Sequence, residues 1–308
     1  MSKARQYAMQ IEIAYAECRA IAKREAKNFY YSFVALPEPR RNAICAIYAF
    51  MRKADDLADD ESIPLDERHR RLDAWLADWR GVCHGGDTSN LVFLAVRDAV
   101  ERFAIPLSLL DELVAGVTMD LDAAANNAPD TYATFADLYR YCYLVASVVG
   151  LVCIRIFGYT DSHAEKLAEK TGIAFQLTNI LRDVAEDAAR NRVYLPLEDL
   201  TAHNVSLDSL LQRKPAAPPS AEERALLQAI AQRAEEFYQS AQALLPLIDR
   251  ESRPALWVLV SIYHALLKRI EKADYDVFSE RLSVPTAQKL GILAIGMARM
   301  GWARLFLQ

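Results

Sequence analysis

The segment AFQLTNILRDVAEDAA (174–189) places Gln176, Asn179, Asp183 and Asp187 three or four residues apart in an otherwise apolar run. At helical period those four side chains form one stripe. The surrounding residues read as buried on every other side. A carboxylate taken out of water is costly unless a cation, a donor or a wet cavity meets it. The chain must therefore fold so that this helix faces something polar in its interior.

A second stretch, RKADDLADD (52–60), repeats the pattern. Asp55 and Asp59 share a face, as do Asp56 and Asp60, and like charges at that spacing repel. All four crowd the end of an expected helix, where the macrodipole disfavours negative charge. Taken alone, this stretch reads equally well as a solvated helix face. Packed against 174–189, 128 residues on from Asp55 to Asp183, it would make one acid-lined pocket between helices.

The rest of the sequence favours such a bundle. Only 10 of 308 residues are glycine, below the usual share, and helix formers are abundant. No strand alternation or hairpin signal stands out. Periodicity predicts helices near 8–26, 38–59, 64–81, 88–104, 106–125, 132–157, 161–188, 220–245, 251–273 and 285–306, with Pro37, Pro64, Pro106 and Pro285 at starts. The one long irregular stretch is 189–219. The expectation is a single all-α domain over 1–308.

A net charge of −5 gives no basic face for nucleic acid. Five cysteines show no paired spacing with each other or with the histidines, so reduced thiols and a cytoplasmic chain are expected. The longest apolar run, 144–154, is too short to span a bilayer and closes on Arg155. The last segment, LGILAIGMARMGWARLFLQ, mixes apolar residues with Arg299 and Arg304. An amphipathic helix packed on the core is expected there, with peripheral membrane contact as the alternative.

Oxygen-rich acidic stripes suit a hard divalent cation, Mg²⁺ or Mn²⁺, which commonly shares its shell with substrate phosphates. Arg52 and Arg182 stand beside them, and arginine suits phosphate oxygens. Aromatic residues recur at 29–31, 48, 139–143, 263 and 275. Most are ordinary core. Together these features suggest a metal-bound diphosphate at one end of a cavity whose aromatic faces could stabilise a carbocation.

At these residues the chain resembles the squalene/phytoene synthase family. The resemblance rests on NFYYSFVALPEPRRNAICAIYAFMRKADDLADD (28–60), YRYCYLVASVVGLVCIRIFGY (139–159), AFQLTNILRDVAEDAARNRVYLPLEDL (174–200) and ADYDVFSERLSVP (273–285). It implies an isoprenoid-synthase helical bundle around a central cavity, and a head-to-head condensation of two prenyl diphosphates. One ionises, its cation attacks the double bond of the other, and proton loss gives a cyclopropylcarbinyl diphosphate. Some members rearrange that product to phytoene; others reduce it with NADPH to squalene.

By the same resemblance, Asp55, Asp56 and Asp59 form the first metal motif and Asn179, Asp183 and Asp187 the second, with Gln176 as polar neighbour. Tyr48, Arg52, Tyr194, Tyr263 and Arg281 fall where diphosphate is held or enclosed, with Arg182 a further contact or a helix-face ion pair. Phe29 and Tyr143 fall on the cavity wall. Asp55, Asp59, Asp183, Asp187, Tyr48, Arg52 and Tyr143 are the expected catalytic set. Many members read S-x-S-F where this chain has AKNF, with Ala26 and Asn28, and place glycine where it has Ser147. Arg182 argues against the branch that hydrolyses presqualene diphosphate.

YYSF, VASVVG and RIFGY look most like bacterial presqualene diphosphate synthases, so two farnesyl diphosphates are the expected substrates and a monomer the expected form. The alternative is a phytoene synthase using geranylgeranyl diphosphate. A non-catalytic relative acting as an assembly factor would be expected to lose acidic ligands, and both motifs are complete. A metal-dependent phosphohydrolase would be expected to recruit histidine, and none of His69, His84, His163, His203 and His264 lies within a turn of the stripes.

Overall fold

A computed structural model describes residues 3–123, 129–213 and 217–305. Helices follow one another almost without interruption: α1 (Lys3–Glu25), α2 (Lys27–Val34), α3 (Glu38–Ala58), α4 (Leu65–Cys83), α5 (Leu91–Phe103), α6 (Leu107–Ala123), α7 (Phe135–Cys142) and α8 (Val148–Phe157). Then come α9 (His163–Ala189), α10 (Leu197–Ala202), α11 (Leu207–Leu211), α12 (Ala221–Leu244), α13 (Arg253–Lys272) and α14 (Thr286–Leu305). The all-α expectation holds. The described strands are β1 (Asp130–Thr131) and β2 (Arg192–Val193), a parallel pair.

Local chemistry sets the helix ends. Pro37 and Pro64 occupy N-cap positions, and α6 and α14 begin one residue after Pro106 and Pro285, so the missing N–H falls where no intrahelical bond is due. Asn90 caps α5 by accepting from the amides of Val92 and Phe93. Thr134 with Asp137, and Ser220 with Glu223, form reciprocal capping boxes on α7 and α12. The helix ends predicted at 125 and 306 lie outside the described residues.

Three features depart from the expected elements. Residues 27–34 form α2, which the aromatic run before Pro37 did not suggest. The stretch 189–219 holds β2 and two short helices. The helix expected over 132–157 is continuous from Phe135 but carries a π-turn at Tyr143–Ser147. The resulting 23-residue rod is long and apolar enough to cross a bilayer by length and composition, beyond the 144–154 run expected. Here it packs against α9 and α6 and forms part of the cavity wall.

α9 sits against α12, α13, α8 and the π-turn, which explains why its apolar residues, such as Ile173, Leu177 and Leu181, are fully buried. Gly172 is what lets the π-turn come close: a Cβ there would lie 2.6 Å from Ser147 Cα. Ser147 is itself buried, and its hydroxyl donates to the Glu169 carbonyl at 2.7 Å. Gly172→Ala is therefore expected to destabilise by about 1–3 kcal/mol through overpacking, with Tm lowered by roughly 2–4 °C per kcal/mol. Thermal melts of the two proteins check this; an unchanged Tm would mean the π-turn yields freely.

Candidate active site

α3 and α9 each send one stripe into a common cavity. On α3 the stripe is Ile44, Ile47, Tyr48, Met51, Arg52 and Asp55; on α9 it runs from Ala168 through Phe175, Gln176 and Asn179 to Arg182. Both change from apolar to polar in the same direction, so the cavity has one charged end. Its volume is about 870 Å³, towards the top of the roughly 300–1,000 Å³ range of small-molecule sites. α2, α8 and α13 complete the wall, and the segment Arg281–Val284 with Lys289 of α14 closes one side.

At the polar end the carboxylates are unequal. Burial pushes Asp55 up to about 7, helped by Asp59 and opposed by Arg52. Burial likewise raises Asp187 to about 7, with Asp183 adding repulsion and Arg192 and Arg190 opposing. Asp183 goes the other way. Burial alone would raise it, but Arg182 and Arg281 hold it below the ordinary carboxylate range. Arg182 Nε donates to Asp183 Oδ1 at 2.7 Å, and Arg281 donates to the same oxygen at 2.9 and 3.0 Å. Arg281 also reaches Glu186 at 3.1 Å.

Asn179 Nδ2 donates to Gln176 Oε1 at 3.3 Å, while Asn179 Oδ1 is buried with no partner. A buried acceptor left unmatched asks for an electropositive occupant. Asp55 lines the same cavity and Asp183 follows Asn179 by one turn of α9, with Asp59 and Asp187 a further turn along their helices, so the donor set is all oxygen. That set fits Mg²⁺ or Mn²⁺. Among the described residues, no three acidic, histidine or cysteine side chains converge on one point; the acids stand as pairs on two facing helices.

Of the residues picked from sequence, Phe29, Tyr48, Arg52, Asp55, Gln176, Asn179, Arg182, Tyr263 and Arg281 line this cavity. Asp59 caps α3 beside Asp55, and Asp56 turns outward to pair with Arg52 at 2.7 Å. Two expectations are corrected. The Tyr143 hydroxyl donates to Glu112 at 2.8 Å, and Tyr143 does not line the cavity. Tyr194 stacks on Tyr141, ring centroids 5.0 Å apart, and on Tyr132, inside a separate core beside Asp187 rather than in the main cavity.

The tyrosine of the Y-C-Y segment that turns to the acids is Tyr141. Residues two apart on a helix point roughly 200° apart, so Tyr141 and Tyr143 cannot share a surface. Tyr141 hydrogen-bonds Asp120, which burial raises to about 6 and which also feels Arg192, Asp130 and Asp59. Asp120, Tyr141 and Arg192 thus form a polar layer under the metal motifs that sequence reading missed. Nothing in their local spacing marks them; the β1–β2 pairing of Asp130 with Arg192 brings that strand to α6. Glu25 and Lys289 are further cavity residues not anticipated. Ala26, from the AKNF departure, lines the wall, and the Asn28 side chain lies outside the described residues.

The squalene/phytoene synthase family model matches residues 22–288. The chain belongs to this family. It is 34% identical over 304 residues to 15-cis-phytoene synthase of Synechococcus elongatus, covering 93% of both chains. It is 34% identical over 289 residues to phytoene synthase of Mycobacterium tuberculosis, covering 94% of this chain and 92% of that one. A dehydrosqualene synthase crystal structure superposes with a TM-score of 0.82 at 29% identity, over 96% of this chain and 99% of the other. The protein is thus of a prenyltransferase family, as its motifs imply.

Asp55 and Asp187 titrate higher folded than unfolded. Between about pH 4 and 7 the folded state therefore holds more protons, and stability falls as pH rises through that window. In metal-free buffer Tm is expected to drop from pH 5 to pH 8, and millimolar Mg²⁺ to restore more at pH 8 than at pH 5. A Tm that climbs across the window, or an equal Mg²⁺ increment at both ends, would contradict this assignment.

Proposed function

We propose that the protein is a phytoene-synthase-type prenyltransferase, condensing two geranylgeranyl diphosphates head to head. The observation that carries this reading is the likeness to two phytoene synthases, 34% identical over more than nine tenths of this chain. A cavity of about 870 Å³ that joins Arg52, Asp55, Asn179 and Arg182 to an apolar wall of Phe29, Phe175, Leu256 and Leu259 gives a diphosphate head and a prenyl tail their separate surroundings. This replaces the farnesyl expectation, which keeps support from the dehydrosqualene synthase neighbour.

In the proposed reaction, one diphosphate sits between Asp55, Asp59, Asn179, Asp183 and Asp187, which would hold the divalent ions. When bound, those ions supply the positive charge that makes pyrophosphate a good leaving group. Arg52, Arg182 and Arg281 present guanidinium groups to the same end and can bind phosphate oxygens as planar forks. The allylic cation then lies against Phe29, Phe175 and Tyr263, whose rings are mutually packed: Phe175 stacks on Tyr263 at 4.5 Å and Phe29 tilts on it at 5.6 Å. Ring faces stabilise cations without offering a nucleophile. Phytoene formation is a rearrangement and proton loss, so NADPH is not needed for it.

Purified protein with Mg²⁺ should convert geranylgeranyl diphosphate to phytoene, with or without NADPH, faster than it converts farnesyl diphosphate to a C30 product, read by mass spectrometry. Asp183→Asn should lower kcat at least 10²–10³-fold, the scale of losing a charge-stabilising contact in the transition state. Preference for farnesyl diphosphate would restore the C15 reading. No product from either, with Asp183→Asn folding normally, would favour the non-catalytic reading.

A further inference from the structure

The connection between α13 and α14 brings Arg281 to Asp183, yet Ser279, Glu280 and Arg281 are all exposed. An exposed arginine on a loose connection makes an ion pair of little worth. Its backbone has to be fixed by other contacts. The connection starts under strain: Asp274 and Tyr275 both take left-handed φ, +52° and +61°, a region that residues with a Cβ avoid. Such residues persist only where their surroundings over-determine them. Asp276 then folds the next turn, accepting from the Phe278 and Ser279 amides at 3.3 and 3.0 Å and from the Ser279 hydroxyl at 2.6 Å.

Two arginines from outside the cavity hold this connection. Arg224, in the first turn of α12, donates to the Asp274 carbonyl at 3.2 Å and pairs with its carboxylate at 3.0 Å. Arg213, two residues beyond α11, lays its guanidinium 3.6 Å from the centre of the Phe278 ring. That guanidinium is itself held by the Glu223 carboxylate and by the Ala217 and Pro218 carbonyls, the latter two at 2.9 and 2.7 Å. Glu223 also accepts from the Ser220 amide in the α12 capping box. For stability alone this arginine is a poor choice. It is mostly buried, its Nε has no partner among the described residues, and an alkyl side chain could cover Phe278 without desolvating a charge. What the guanidinium adds is a plane. Fixed by three acceptors, it sets the position of the Phe278 ring. Three residues on, Arg281 donates to Asp183.

We infer that Arg213 is a positioning residue for the reaction: through Phe278 it fixes the backbone that presents Arg281 to the acidic end of the cavity. Arg213 is not among the residues lining that cavity. The inference rests on the proposed role of Arg281 as a diphosphate contact. Held in place beforehand, Arg281 meets the diphosphate without further ordering, and substrate binds more tightly for it.

The test is a double-mutant cycle, read by calorimetry with a non-ionising geranylgeranyl S-thiolodiphosphate in Mg²⁺ buffer. Arg281→Gln should weaken binding about tenfold, and Arg213→Met about fivefold. In the Arg281→Gln background, Arg213→Met should weaken binding no further. Phe278→Leu, which leaves Arg213 and its acceptors in place, should repeat that pattern, and it serves alone where Arg213→Met fails to fold. Wild-type binding in both Arg213→Met and Phe278→Leu overturns the positioning role while the prenyltransferase reading stands. So does an equal loss in the two backgrounds, which a general packing defect would give. Unchanged binding in Arg281→Gln overturns it as well, by removing the contact it serves. A wild type that neither binds the analogue nor turns over geranylgeranyl diphosphate overturns the underlying reading and this inference together.

Discussion

Asp183 accepts from Arg182, its neighbour on α9, and from Arg281, which arrives from 98 residues further along the chain. Arg281 is half exposed, so the pair adds little to global stability once solvent screening is allowed for. Its consequence is positional. It ties the loop before α14 to the acidic end of α9, and that loop carries Leu282, Ser283 and Val284 along the cavity with Lys289 just beyond. It also sets the charge state of the site. Asp183 stays ionised beside its guanidiniums, whereas Asp55 and Asp187, lacking any so close, are raised to about 7. The proposed metal site is thus one fixed charge flanked by two that await a counter-ion.

The opposite wall shows how a departure from the family pattern is absorbed. Where many members place glycine, this chain has Ser147, fully buried at the end of the π-turn. Close approach of the two helices is secured from the other side by Gly172, and the Ser147 hydroxyl is spent on the Glu169 carbonyl. An unmatched hydroxyl there would cost about 1–3 kcal/mol. The π-turn also redirects the rod so that Val145, Ala146 and Val149 face the cavity while Tyr143 faces α6.

Helices were legible because their determinants are local: apolar period, prolines at starts, Ser and Thr caps. The polar stripe of α9 was legible for the same reason, since a polar side chain every three or four residues in an apolar run has no local explanation. α2 escaped because eight residues between an expected helix end and Pro37 give too short a window for a period. Tyr141 and Tyr143 are indistinguishable until a helix phase is assigned, and the π-turn changes that phase within the motif. Asp120, Arg192 and Lys289 come from three distant segments and belong to the site only through tertiary packing. Substrate length was the least legible property of all. It depends on how far side chains of α3, α8, α9 and α13 leave a continuous space, which no motif encodes.

A cavity that handles allylic cations must also avoid quenching them, and the apolar part of this one is informative on that point. Three polar groups with nucleophilic atoms line it away from the acids: Ser32, Cys153 and Thr171. The Ser32 hydroxyl donates to the Phe29 carbonyl at 2.7 Å, and Thr171 donates to Leu167 one turn back at 2.7 Å. Each hydroxyl is thereby turned toward its own backbone. Burial pushes the Cys153 thiol up to about 12, so it is protonated and weakly nucleophilic at neutral pH. Water has few polar atoms to hold it there. The apolar end therefore offers a carbocation mainly ring faces and alkyl groups, with its two hydroxyls tethered to their own backbone and its thiol protonated. Such a lining favours collapse onto the neighbouring double bond over capture as an alcohol, in keeping with a synthase rather than a hydrolase.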